Sequence, residues 1–254
     1  MEMRVRVVTL FPGMVSAGMG FGVCGRALSA GIAEVATVNP RDFARDPHRS
    51  VDDRPYGGGP GMVLKVEPWR DAIRAARADL PAGSRVAFLG PQGRRFDQAM
   101  AREMCSWPGL VLVSGRYEGF DERLVEAEAD CEISLGDFVL SGGEVAALAV
   151  IDAVVRLLPG TLGDEGSAQA DSFGGYLLDF PHYTRPEVLD DGRRVPAVLV
   201  EGNHEAIRRW RLKQALGRTQ LRRPDLLEGR QLSAEELDLL GEFLAERGQV
   251  PGDD

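Results

Sequence analysis

A chain of 254 residues, 44% apolar and 27% charged, is long enough for one large or two modest globular domains. Its 31 Gly and 15 Pro suit a loop-rich α/β enzyme and stay short of the disordered or collagen-like range. The net charge is −9, and no apolar stretch reaches the ~18 residues that a membrane helix needs.

The first twelve residues carry too short and interrupted an apolar run for a signal peptide, so the expected location is the cytoplasm. Cys24, Cys105 and Cys131 form no CxxC pair, and His48, His182 and His204 are too dispersed for a metal motif. Neither a disulfide framework nor a structural zinc site is expected.

In chain order, Arg4 to Leu10 reads as a strand ending at Phe11-Pro12-Gly13. Further strands are predicted over Ala33 to Val38, Arg85 to Leu89, Leu110 to Val113 and Cys131 to Leu135. Helical patterns over Glu67 to Ala78 and Asp97 to Cys105 separate them, which argues for a mostly parallel sheet covered on both faces. Glu144 to Leu158 is the most apolar segment and predicts a helix buried nearly all round, with Glu144, Asp152 and Arg156 on one face. Thr161 to Phe180 holds four glycines and four acids without a cation, the composition of a linker. Beyond it, Asn203-His204-Glu205 opens a helix toward Leu216, and Ser233-Ala234-Glu235-Glu236 is a capping-box start to the last helix.

Charge is divided unevenly. Pro224 to Asp254 has nine acids against two arginines, a net −7 that leaves −2 for all the rest. Ile207 to Arg223 has seven cations, with Trp210 interleaved, and no acid. That run is either a solvated helix face or a phosphate-binding surface.

Several loops are candidates for chemistry. Gly20-Phe21-Gly22-Val23-Cys24-Gly25 matches GxGxxG, with Asp42 roughly where a ribose-binding acid would stand, although the first strand ends about ten residues too early for a dinucleotide turn. Asp52-Asp53-Arg54-Pro55-Tyr56-Gly57-Gly58-Gly59-Pro60-Gly61-Met62 lacks a P-loop ending and reads either as a tight turn or as bare backbone approached by a planar or phosphorylated ligand. Three loops follow predicted strands: Gly90-Pro91-Gln92-Gly93 after Phe88-Leu89, Gly115-Arg116-Tyr117-Glu118-Gly119, and Ser134-Leu135-Gly136-Asp137-Phe138-Val139-Leu140-Ser141-Gly142-Gly143. At the carboxyl ends of strands in an open α/β sheet, they imply one shared pocket.

Val51 to Met62, Gly115-Arg116-Tyr117-Glu118-Gly119, Ser141-Gly142-Gly143-Glu144, Pro181-His182-Tyr183-Thr184-Arg185-Pro186 and Arg208-Arg209-Trp210-Arg211-Leu212-Lys213 together resemble the bacterial tRNA (guanine-N1-)methyltransferase family, TrmD, in order over almost the whole chain. The resemblance implies a trefoil-knotted α/β domain of the SPOUT class at 1–160, a linker at 161–180, a small, mainly α-helical tRNA-binding domain at 181–246 and a disordered acidic tail at 247–254. It further implies a homodimer that moves methyl from S-adenosylmethionine to N1 of the guanosine at tRNA position 37.

By the same resemblance, Asp171 is the general base and Arg156 stabilises charge on O6. The residues from Phe88 to Gln92, Gly115 to Gly119, Ser134 to Leu140, and Gly142 with Gly143 surround the cofactor. Asp52, Gly59, Pro60, His182, Arg208, Arg209, Arg211 and Lys213 contact tRNA, with Trp210 either stacking on a base or anchoring its own helix. Glu118 would either brace the cofactor loop or hold a magnesium ion. Gly90 and Ala146 depart from the family's usual Ser and Pro. The rival readings are a non-catalytic RNA-binding protein on the same knot and a nicotinamide-dependent oxidoreductase using Gly20 to Gly25.

Overall fold

The computed structural model describes residues 2–163, 171–173 and 175–248, and the chain divides into two compact units, Met1–Glu165 and Gly166–Asp254. Parts of the expected linker (164–170 and 174) and most of the expected tail (249–254) lie outside the described residues.

The strands of the first unit are β1 (Met3–Val8), β2 (Ala33–Val38), β3 (Asp52–Asp53), β4 (Val63–Leu64), β5 (Arg85–Arg95), β6 (Leu110–Ser114) and β7 (Cys131–Ser134). All but β3 and β4 form one parallel sheet in the order β2-β1-β6-β5-β7. Its helices are α1 (Pro12–Met19), α2 (Gly22–Ser29), α3 (Val66–Ala78), α4 (Gln98–Met104), α5 (Glu122–Glu128) and α6 (Glu144–Val155).

Successive strand side chains point to opposite faces, and both faces are apolar. Val5, Val7, Ala87, Leu89, Leu110 and Leu112 pack with Val15, Met104, Val150, Ile151 and Val154 under α1, α2, α4 and α6. Val86, Phe88, Val111 and Val113 pack with Trp69, Ile73 and Leu124 under α3 and α5. The expected parallel α/β sheet with two covered faces is what forms.

Three local expectations are corrected. Phe11-Pro12-Gly13 does not only end the first strand: Pro12 occupies the first turn of α1, where its missing N–H costs nothing. That helix separates β1 from Gly20 to Gly25, so the GxGxxG match is not a strand-to-helix phosphate turn. Gly25 is needed instead because a Cβ there would stand 2.6 Å from the Gly20 carbonyl oxygen, and Asp42 pairs with Arg49. The oxidoreductase reading loses its site.

β5 also runs past Leu89. The ladder with β7 breaks after Leu89 and resumes at Arg94, with Ile133 opposite both. Gly90 to Gly93 therefore bulge out of the sheet and return to it. Gly93 allows the return, since a Cβ would collide with the Ile133 backbone.

Nor is α6 buried all round. Glu144 is fully buried, whereas Val145 and Asp152 are exposed. Eight residues advance a helix by about 80° beyond two full turns, which takes Asp152 off the face of Glu144. Asp152 accepts from the Cys24 thiol at 3.3 Å, and burial together with that carboxylate pushes the thiol up to about 12.

In the second unit α7 (His204–Arg222) and α8 (Ala234–Gly248) pack through Leu216 and Leu239. Asn203 caps α7 through the Ala206 amide at 3.1 Å. Ser233 and Glu236 satisfy each other's amides in the expected capping box. Gly217 lets the helices approach, its Cα lying where a side chain would enter the Phe243 ring.

Candidate active site

A cavity of about 290 Å³ opens at the bulge of β5 and the carboxyl ends of β6 and β7. The three strand-following loops line it together: Leu89 to Pro91, Gly115 to Gly119, Ser134 to Gly136, Phe138 to Leu140, and Gly142 with Gly143. Phe88 does not, because its ring is buried on the other face against Phe120 at 5.0 Å. Gln92 and Asp137 are exposed and also lie outside the lining. Phe120 and Ile133 join the wall without having been singled out, Ser141 lies in it as part of the expected third loop, and Gly90 and Ala146 both line it. A strand's last apolar residue, such as Ile133, gives no signal that separates core from cavity.

The glycines here serve chain-on-chain contact as much as ligand approach. Gly143 donates to the Gly115 carbonyl at 2.9 Å, and a Cβ on it would stand 2.7 Å from Ser114 Cα. A Cβ on Gly115 would stand 2.7 Å from the Phe120 ring, and one on Gly142 would overlap the Arg116 guanidinium. Because Ser114 is backbone at the end of a central strand and cannot yield, Gly143→Ala is expected to cost ~1–3 kcal/mol. Denaturant unfolding at constant m-value measures this, and a midpoint equal to the parent's would show that the two segments can separate freely. Tyr117 adopts φ 59°, a left-handed conformation that a non-glycine residue holds only when its surroundings impose it.

The glycine-rich segment is the tip of the β3–β4 hairpin. Gly57, Gly58, Gly59 and Gly61 all have positive φ, so the tight-turn reading holds. Asp52 pairs with Leu64 across the hairpin, and Gly59 and Pro60 are exposed at the tip. The hairpin is docked on the cavity: Glu118 donates its amide to the Met62 carbonyl at 3.0 Å, the Leu64 amide bonds to Gly119 at 2.9 Å, and the Glu118 side chain lies against Gly61. Glu118 thus joins the two loops. Among the described residues no group of three or more His, Cys, Asp and Glu comes together to hold a metal.

Arg156 is half-buried at the C-cap of α6 in the first unit. Asp171, half-buried in the second, lines a cavity of about 380 Å³ with Asp179, His204 and Arg211.

A further cavity of about 450 Å³ in the second unit is walled by His182, Tyr183, Trp210 and Arg211. His182 bonds Asp179 at 2.8 Å, Arg211 lies over the Phe180 ring at 4.8 Å, and Trp210 is half-buried with its ring 6.2 Å from Tyr183.

The cations of α7 are not free of acids, as the linear charge count suggested. Arg208 pairs with Glu205 and Glu235, Arg209 with Glu235 and Glu242, and Lys213 with Glu242 and Glu246. Hydrogen bonds from Arg208 hold the Glu205 carboxyl below its usual range, and those carboxylates raise Arg208 in turn. All of these acids but Glu205 come from α8, so the strongly acidic C-terminal stretch and the basic run neutralise each other across the helix pair.

The sequence model described as tRNA (Guanine-1)-methyltransferase TrmD matches residues 3–229. The chain is 63% identical over 244 residues to the tRNA (guanine-N(1)-)-methyltransferase of Methylococcus capsulatus, covering 96% of this chain and 97% of that one. It is 60% identical to the protein of the same name from Hahella chejuensis, over 98% and 95% of the two chains. The Vibrio campbellii protein of that name is 55% identical, over 96% and 98%.

Proposed function

The chain belongs to the tRNA (guanine-1)-methyltransferase family, TrmD, and on that premise we propose that it methylates N1 of the guanosine at tRNA position 37, giving 1-methylguanosine. The observation that carries the reading is one cavity shared by three strand-following loops, within a chain matched to the family over nearly its full length. S-adenosylmethionine supplies the electrophilic methyl group. Main-chain groups of Leu89, Tyr117, Leu135, Phe138 and Leu140 hold its adenosine part, and the close passage of Gly143 over Ser114 and Gly115 fits a trefoil knot.

Guanine N1 is protonated at neutral pH, so its lone pair becomes available only as the proton leaves. Asp171 takes that proton, and Arg156 offsets the negative charge that spreads to O6. The two act in a homodimer, for which Phe11, Met14, Phe21 and Val145 offer exposed apolar surface around α1 and α6. The second unit, with the Gly59-Pro60 tip and Asp52, grips the tRNA, and Glu118 braces the cofactor loop. No helix among the described residues is long and apolar enough to cross a membrane, and a cytoplasmic setting fits a tRNA substrate.

Primer extension on transcripts with guanosine or adenosine at position 37 tests the reaction. A stop that needs guanosine, enzyme and S-adenosylmethionine together is expected. Binding of tRNA without any stop, at every cofactor concentration, would instead support the non-catalytic RNA-binding reading.

A further inference from the structure

Glu144 is a fully buried carboxylate that the proposed chemistry does not use. It opens α6, next in the chain to the cavity residues Gly142 and Gly143; two segments meet it, and a third is tied to it through Arg116. Thr9, just beyond β1, donates its hydroxyl to Oε1 at 2.7 Å, and that same hydroxyl accepts the Phe11 amide at 2.9 Å. Arg116, from the loop after β6, brings Nη2 to 2.8 Å from Oε2. The guanidinium continues to the third segment, donating Nη1 to the Ser141 carbonyl at 3.1 Å, and its far face covers the Phe11 ring at 4.4 Å.

An ionised carboxylate without solvent is costly unless a charge compensates it. Arg116 supplies that charge, and it is also the residue whose loop lines the cavity. The backbones at Arg116 and Gly142 meet in an isolated antiparallel bridge, and Gly142 has no side chain where the guanidinium lies. Two walls of the cavity, 115–119 and 138–143, are therefore tied to each other through Arg116, and Arg116 is tied to the core through Glu144.

We propose that Glu144 is a positioning residue: through its buried ion pair with Arg116 it fixes the separation of the two loops that hold the adenosine part of the cofactor. This rests on the cavity being the S-adenosylmethionine site. Without the pair, the guanidinium is released toward solvent, the tie to Ser141 goes with it, and cofactor binding must first reorder both loops. Binding of tRNA by the other unit is untouched.

Glu144→Gln keeps the shape and the acceptor for Thr9 and removes only the charge. Calorimetry with S-adenosylmethionine is expected to give a Kd raised at least about tenfold, while the Kd for tRNA measured without cofactor stays within about twofold of the parent's. In an Arg116→Gln background the same change should add nothing, because the pair is already broken. Glu144→Asp, which keeps the buried charge but withdraws it from Arg116, should weaken cofactor binding likewise and gives the same readout if the Gln variant does not fold. A parent protein that binds S-adenosylmethionine, with a folded Glu144 variant that binds it equally well, overturns the proposal. So does an effect of Glu144→Gln that adds in full to that of Arg116→Gln, since the carboxylate would then act by another route. A parent that binds no S-adenosylmethionine at all overturns instead the reading of the cavity.

Discussion

Asp171→Asn is expected to slow single-turnover methyl transfer by about 10²–10⁴-fold, the contribution of a positioned general base. The amide has nearly the shape of the carboxylate but cannot accept the proton from guanine N1. Asp171 belongs to the second unit, whereas the proposed cofactor cavity is lined wholly by the first. Affinity for S-adenosylmethionine should consequently stay within about twofold of the parent's, so that the loss appears in the rate and not in cofactor Kd. Rapid-quench kinetics on a position-37 guanosine transcript at saturating cofactor and tRNA gives the number. A rate within about threefold of the parent's would remove Asp171 from the role of base, since a lost proton acceptor costs far more than that.

What could be read from the sequence follows from how local each cause is. The strand Ala33–Val38, the Asn203 cap and the Ser233/Glu236 box are decided by residues next to one another, and the structure places them where the pattern does. The three loops around the cavity were legible because each follows an apolar strand. Phe88 and Gln92, around that same turn, lie outside the cavity's lining, since the face a strand residue takes and the side to which a bulge turns depend on packing. The continuation of β5 through Arg95 was hidden because Gly90-Pro91 punctuates the chain like a turn, and only the absence of a Cβ on Gly93 beside Ile133 lets the ladder resume. Glu144 was readable as one of three charged members of an apolar helix, with nothing in the pattern to set it apart from Asp152 and Arg156. Its partners Thr9 and Arg116 lie 135 and 28 positions away, and no periodicity joins them.

The same non-local effect reverses the expectation for the basic run, and with it the expected salt dependence of tRNA binding. Taken as a linear segment, Arg208, Arg209 and Lys213 would each neutralise a phosphate, and replacing all three by Ala would flatten the log–log salt slope by about 0.7–0.9 per contact. In the folded unit each already faces a carboxylate of α8. A phosphate must displace that partner, so the net counterion release is smaller, and the triple Ala variant should flatten the slope by less than about three contacts' worth. The converse variant carries the larger effect. Glu235→Gln, Glu242→Gln and Glu246→Gln together leave the cations in place and strip their α8 partners, leaving Arg208 only Glu205. The slope should then steepen by about two contacts, giving roughly a tenfold greater loss of tRNA affinity between about 50 and about 200 mM salt. At the low-salt end the triple Gln variant should bind tRNA more tightly than the parent and discriminate less against unrelated RNA, because phosphate contacts add affinity without reading sequence. Filter binding across a salt series measures both slopes, with S-adenosylmethionine affinity as the invariant control. If neither the Ala nor the Gln variant alters the slope, α7 does not meet the RNA backbone, its ion pairs only join two helices, and the tRNA must be held by other residues of the chain.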